Sequence, residues 1–294
     1  MRRTMTLILM TAWYSVSAQA LEVLNSIKPF EMITEELVLD AQSNSSLLAT
    51  NASPHDYALK PSDIKRIDSS DLVIWFGPDL EGFLQKSLAD KNKVLTIQDI
   101  EGVSLREFGS EEAHHDHDGH NHGSHDPHVW LGPEVSGQVA AAITAKLIQL
   151  DPSNQSAYEA KLAQFQSNLA NKEAEIVAQL APVKDEGYYV FHDAYAYFEH
   201  HFGLNNLGHF TVSPERRPGA KTLIGIKKTL RNDNVKCVFS EPQYTPAVVE
   251  TVVRGTDTRI GQLDPLGTDI KVAKGSYFQF LQTIADSYTN CLGQ

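Results

Sequence analysis

The chain predicts an α/β fold of two lobes. Each lobe is a four-stranded parallel sheet flanked by helices, and a long rigid helix joins them. Three observations lead there. Continuous apolar runs such as residues 71–76 (DLVIWF) and 188–191 (YYVF) alternate with segments of helical apolar spacing. Strands of that kind are buried on both faces by crossover helices. The alternation occurs in each half of the chain, with about four strand–helix steps apiece. Between the halves, Tyr158, Leu162, Phe165, Leu169, Ile176 and Leu180 recur at helical steps across residues 154–180. A helix of that length spans roughly 40 Å, enough to cross a small lobe, so it reads as a strut.

Taken in order, residues 21–26 (LEVLNS) form the first strand, and Lys28-Pro29 breaks it before a helix over 30–40. A second strand is expected at 47–50, running into the loop Asn51-Ala52-Ser53-Pro54-His55-Asp56. Pro61-Ser62-Asp63 opens a helix through Ile67. The strand at 71–76 follows, then a helix over 79–88 and a strand at 94–97. After Gly132-Pro133, with proline suited to a first helical turn, residues 134–150 read as a helix that Asp151-Pro152-Ser153 ends. Beyond the strut come a strand at 188–191 closing on His192-Asp193, a helix at 194–202 stopped by Gly203, and a strand at 207–212. A helix at 220–230, a strand at 236–240, a helix at 246–253, a strand at 259–263 closing on Asp264-Pro265 and a helix at 277–288 complete the chain. No sequence repeat links the halves, so their likeness is architectural. The expected organisation is an N-terminal lobe at 21–132, a helical connection at 133–182 and a C-terminal lobe at 183–294.

Residues 1–20 read as a cleaved export signal. Arg2 and Arg3 precede a largely apolar stretch too short to span a bilayer, and Ala18-Gln19-Ala20 is a small-x-small cleavage site. No cysteine follows that site to carry a bacterial lipid anchor. The net charge is −12 and becomes more acidic once Arg2 and Arg3 leave, which argues against nucleic acid and anionic membrane surfaces. The two cysteines, Cys237 and Cys291, are expected to pair in an oxidising compartment. Closing a loop of about 54 residues contributes roughly 4 kcal/mol at most.

Seven of the 12 histidines fall in one polar, acidic stretch: His114, His115, His117, His120, His122, His125 and His128. His-rich tracts are a compositional sign of metal binding, and residues 111–127 read as a solvated acidic loop. His128 stands apart, directly before the apolar Val129, Trp130 and Leu131. Ligands of open parallel sheets bind beyond the carboxyl ends of the strands. His55, His192 and Asp264 fall on such ends or in the loops past them, and His128 lies where the loop re-enters the fold. The four come from both halves, so they would meet in the cleft between lobes. Three imidazoles favour zinc over manganese, which prefers oxygen ligands. Each residue also has a bland reading: a lone histidine past a strand often caps a helix, and Asp264 can simply start a turn before Pro265. Three histidines and a water also describe a zinc hydrolase, for which Glu241 at a strand end is the one base to name. No hydrolase motif accompanies it.

Four ordered motifs carry a family resemblance. They are His55-Asp56-Tyr57 with Lys60-Pro61-Ser62-Asp63, then Asp126-Pro127-His128-Val129-Trp130-Leu131, then Phe191-His192-Asp193-Ala194-Tyr195, then Leu263-Asp264-Pro265-Leu266-Gly267. Together they resemble the metal-binding, extracytoplasmic solute-binding subunits of ABC importers for zinc and manganese, over essentially the whole chain past residue 20. The resemblance implies two four-stranded lobes, metal in the cleft, and His55, His128 and His192 as ligands. Manganese members resemble this pattern with a carboxylate at the third histidine's place, so His192 points to the zinc branch, as does the inserted acidic loop. Some zinc members place a glutamate before the first histidine. Here Pro54 stands there, which leaves the fourth ligand to Asp264, a water or a loop residue.

The expected protein is therefore a monomer in the periplasm of a Gram-negative bacterium. It captures Zn2+ as its transported ligand and passes it to a membrane permease with its ATPase; it is not an enzyme. The loop histidines would supply zinc to the cleft, with His209 on a second-lobe strand joining them in an auxiliary site. Only neutral imidazole ligates, so affinity is expected to fall below about pH 6.

Overall fold

The computed structural model describes residues 21–40, 42–88, 91–107, 125–212, 214–232 and 235–294. Strands β1 (Glu22–Asn25), β2 (Ser43–Ser46), β3 (Leu72–Trp75) and β4 (Val94–Thr96) form one sheet in the order β2-β1-β3-β4. Strands β5 (Gly187–His192), β6 (Asn206–Thr211), β7 (Val235–Ser240) and β8 (Arg259–Gln262) form the other, in the order β6-β5-β7-β8. Every pairing is parallel, and the two orders coincide when each is counted from its own first strand.

Helices α1 (Lys28–Leu37), α2 (Pro61–Ser69) and the short α3 (Pro78–Glu81) connect the first sheet. Helices α4 (Pro133–Leu150) and α5 (Gln155–Leu180) lie between the lobes. The second sheet is connected by α6 (Ala196–Phe202), α7 (Ala220–Asn232) and α8 (Ala247–Val253), and α9 (Ser276–Leu292) ends the chain. Proline opens α1, α2, α3 and α4, where its fixed φ fits and its missing N–H costs nothing. Among the described residues no helix is long and apolar enough to cross a membrane.

Two elements differ from the sequence reading. The second strand is the polar Ser43–Ser46, not residues 47–50. It is an edge strand, so its ladder needs only backbone groups. The ladder does run on, with Leu47 and Leu48 N–H donating to the Asn25 and Ser26 carbonyls. The helix expected over 79–88 stops at Glu81 and gives way to a 3-10 turn at Gly82–Leu84. Glycine there is costly for a helix, and the buried Glu81 carboxylate is already accepting the Phe76 and Gly77 N–H groups.

Strand alternation sorts side chains into two environments. Leu72 and Ile74 of β3, with Tyr188 and Val190 of β5, face a single core that also takes in Phe30, Phe165, Phe239 and Tyr277. That core is continuous across both lobes. The intervening residues face separate outer clusters: Val73 and Trp75 in the first lobe, Tyr189 and Phe191 in the second. The 26-residue α5 buries Tyr158, Phe165, Leu169, Ile176 and Leu180 in the shared core and packs on α1, α4 and α9. At about 39 Å it is the expected strut.

Direct bonds also cross the seam. Trp130 Nε1 donates to the Pro265 carbonyl at 2.7 Å, and Lys28 Nζ donates to the Gly267 and Thr268 carbonyls at 2.8 and 3.1 Å. Gly267 is held at φ +59, and a Cβ there would meet Met32 of the other lobe at 2.9 Å. The Cys237–Cys291 disulfide is formed, with Cα atoms 6.1 Å apart, and ties β7 to the end of α9.

Candidate metal centre

His192 is the last residue of β5, and β5 pairs with β7. Glu241 directly follows β7, so the parallel register brings the two side by side at the topological switch of the sheet, although 49 residues separate them. His192 Nδ1 lies 2.9 and 3.1 Å from the two Glu241 oxygens, and the Tyr195 hydroxyl donates to Glu241 at 3.0 Å. Both His192 and Glu241 are only 3% exposed.

His128 reaches the same point from the first lobe, just before a 3-10 turn at Val129–Leu131. Asp126, fully buried, folds back on it. Its Oδ1 accepts the His128 backbone N–H at 3.1 Å and lies 2.8 Å from Nδ1. Arg106 donates to Asp126 Oδ2 at 3.2 Å, and the Tyr197 hydroxyl donates to the Asp126 carbonyl at 2.9 Å. A carboxylate behind each Nδ1 fixes the proton there and leaves Nε2 as the free lone pair. The two Nε2 atoms point at each other, 3.1 Å apart.

His55, half-buried, comes from the loop after β2. Its N–H donates to Ser53 Oγ at 3.2 Å. One ligand nitrogen from each of His55, His128 and His192 falls within 4.8 Å of the others, the one such group among the described residues. The cavity beside them, walled by Pro54, Trp130, Tyr244 and Leu266, is about 10 Å³. That is room for an ion or one water, not for an organic solute.

Electrostatics divide the two buried rings. Burial, followed by the neighbouring His192 and Arg106, holds His128 well below the ordinary imidazole value. Burial acts on His192 in the same direction, but the Glu241 carboxylate, with Asp193 and Glu215 behind it, outweighs it and leaves the value raised. Of the two facing rings, His192 is therefore the stronger base. Burial pushes Asp126 up to about 6, against the pull of the His128 N–H and Arg106.

The remaining sequence candidates lie elsewhere. Asp264 is not in the group. Its Oδ1 accepts from Leu266 N–H at 3.0 Å and Gln243 Nε2 at 2.7 Å, and its Oδ2 from Thr268 N–H at 2.5 Å, so the carboxylate caps its own turn. His209 sits on β6 opposite Val190, outside the group. His125 bridges to Glu107 and approaches Asp79 at 3.9 Å. His114, His115, His117, His120 and His122 lie outside the described residues. Glu241 sits behind the His192 ring, bonded to Nδ1, where it orients the ring instead of facing a metal-bound water. Sequence reasoning missed this pairing because it is made by strand order. Asp126, two residues before His128, had a local signal: an aspartate placed to fold back on the N–H two residues on.

Two parallel-sheet lobes on one strut, with three imidazoles converging at the seam, define a two-lobed cation-binding solute carrier. The comparisons agree. The sequence profile of the ZnuA family, described as "Zinc-uptake complex component A periplasmic", matches residues 23–291. The chain belongs to this family. The high-affinity zinc uptake system protein ZnuA of Yersinia pestis is 43% identical over 288 residues, covering 92% of this chain and 91% of its own. The Haemophilus ducreyi protein of the same name is 42% identical, with 93% and 94% covered. Among solved structures, a crystal structure of ZnuA superposes with a TM-score of 0.79 at 25% identity, covering 93% of this chain and all of that one. A zinc-bound deletion mutant of ZnuA gives 0.78 at the same identity, with 93% and 98% covered.

Proposed function

We propose that the chain captures Zn2+ in the periplasm and delivers it to the membrane permease of an ABC-type zinc importer. The observation that carries this reading is the convergence of one imidazole nitrogen each from His55, His128 and His192, from two lobes, on one ion-sized space. Three neutral nitrogens suit zinc, and an oxygen-seeking manganese ion would gain little there. Membership of the ZnuA family supports the transport role. A water completes the fourth position, since the Asp264 oxygens are engaged in their own turn. The protein acts as a monomeric carrier and not a catalyst, exported by the segment at 1–20, which would be cleaved. Residues 111–125 collect zinc reversibly ahead of the deep site, and His209 assists them.

Equilibrium dialysis with metal analysis tests the reading. One tight zinc is expected per chain. Replacing His55, His128 or His192 by alanine should cost about 3 kcal/mol, on the order of a hundredfold in Kd, if tight binding divides among its ligands. Deleting residues 111–125 should remove weaker binding and leave the tight ion. Loss of the tight ion on that deletion would overturn the division between collector and site.

A further inference from the structure

Of the three histidines, His128 and His192 are 3% exposed and braced by buried carboxylates. His55 is half-buried, on a loop outside any helix or strand. We infer that Ser53, Glu215 and Tyr244 form a latch across the lobe seam that holds His55 on the metal and sets how slowly it leaves. The inference rests on the metal-carrier reading.

The contacts are specific. Ser53 Oγ accepts the His55 N–H at 3.2 Å, and the same hydroxyl is hydrogen-bonded to the Glu215 carboxylate. The Tyr244 hydroxyl lies 3.3 Å from Glu215 Oε1 and 3.4 Å from Ser53 Oγ. Ser53 belongs to the first lobe. Glu215 lies between β6 and α7, and Tyr244 lies past β7, so both belong to the second. Ser53 thus links the ligand's own backbone to the opposite lobe. A hydroxyl that donates to a carboxylate becomes a better acceptor, which strengthens its hold on the His55 N–H. Ser53, His55 and Tyr244 also wall the ion-sized cavity together. Since the other two ligands are fixed in the core, detachment of His55 is the step that opens the shell, and the latch opposes that step.

These three groups touch no metal; they are positioning residues. The test is stopped-flow release of zinc from the full-length protein into excess chelator. Ser53→Ala and Glu215→Ala should each release zinc about tenfold faster, the scale of losing one hydrogen bond to a charged group. The double variant should be no faster than either single one, because both break the same chain. The absorption spectrum of the cobalt(II) form of Ser53→Ala should stay that of the wild type, because Ser53 supplies no ligand atom. Ser53→Thr, which keeps the hydroxyl, should restore slow release. Wild-type release from Ser53→Ala, additive effects in the double variant, or an altered cobalt spectrum would each overturn the latch. A wild-type chain that takes up no zinc would sink the carrier reading, and the latch with it.

Discussion

The Nε2 atoms of His128 and His192 face each other at 3.1 Å across the lobe seam, each ring backed by a carboxylate on its Nδ1. A tetrahedral ion with Zn–N bonds of about 2.0–2.1 Å sets neighbouring nitrogens roughly 3.3 Å apart. The metal-free pair therefore needs to open by only a few tenths of an ångström.

The carboxylates behind the rings make the first prediction. Glu241→Gln and Asp126→Asn keep shape and remove the charge that fixes each ring's tautomer. Each should weaken zinc about 10–100-fold with the stoichiometry still one. Competition against a chelator of known affinity measures it. Unchanged affinity would mean the rings are held by packing alone.

Proton competition supplies the second. The raised value of His192 means that it keeps its proton above the ordinary imidazole value of 6.5. Zinc affinity should then begin to fall as pH drops through a value above 6.5, earlier than the pH 6 expected of unperturbed histidines. In the metal-free protein the same shift stabilises the fold fully below pH 6.5, and that contribution fades as pH rises through the raised value. Glu241→Gln should move the onset of zinc loss to lower pH even as it weakens binding. Affinity measured from pH 5 to 8 in both proteins decides it.

A third prediction concerns a buried acid outside the converging group. Glu199 on α6 is buried and accepts from Tyr188, Tyr288 and Asn206. Burial pushes it up to about 7 from 4.5. An acid with a raised folded value holds an extra proton in the folded state between the two values. Its contribution is complete below pH 4.5 and lost as pH rises through about 7. The loss amounts to about 3 kcal/mol. Urea unfolding of the metal-free protein should show less decline over this window in Glu199→Gln than in wild type.

Removing the disulfide makes the fourth. Replacing both Cys237 and Cys291 by serine should cost roughly 4 kcal/mol at most. Zinc affinity should be spared, because neither cysteine belongs to the converging group. A matched loss of affinity would show that the end of α9 controls the site.

The strongest strands were legible because β3 and β5 are buried on both faces and read as unbroken apolar runs. Strand β2 was not, because an edge strand of serines and asparagine needs no apolar signature. The histidines could be singled out by their positions beyond strand ends. What they lean on could not: Glu241 meets His192 through the strand order, and Ser53 meets Glu215 across the lobe seam. Asp264 was ambiguous for a local reason. The same position that offers a ligand also starts a turn, whose N–H groups both of its oxygens accept.

The shared core and the Lys28 and Trp130 bonds to the opposite lobe oppose any swing of one half against the other. Such a body should announce its cargo with little change of outline. Its scattering profile and its heat capacity should differ little between empty and loaded forms, since almost no apolar surface changes hands. The importer must then tell full from empty by local touch at the rim of the seam. Selectivity for the ion is likewise prepared in advance, by two braced rings whose separation is nearly set when the chain folds.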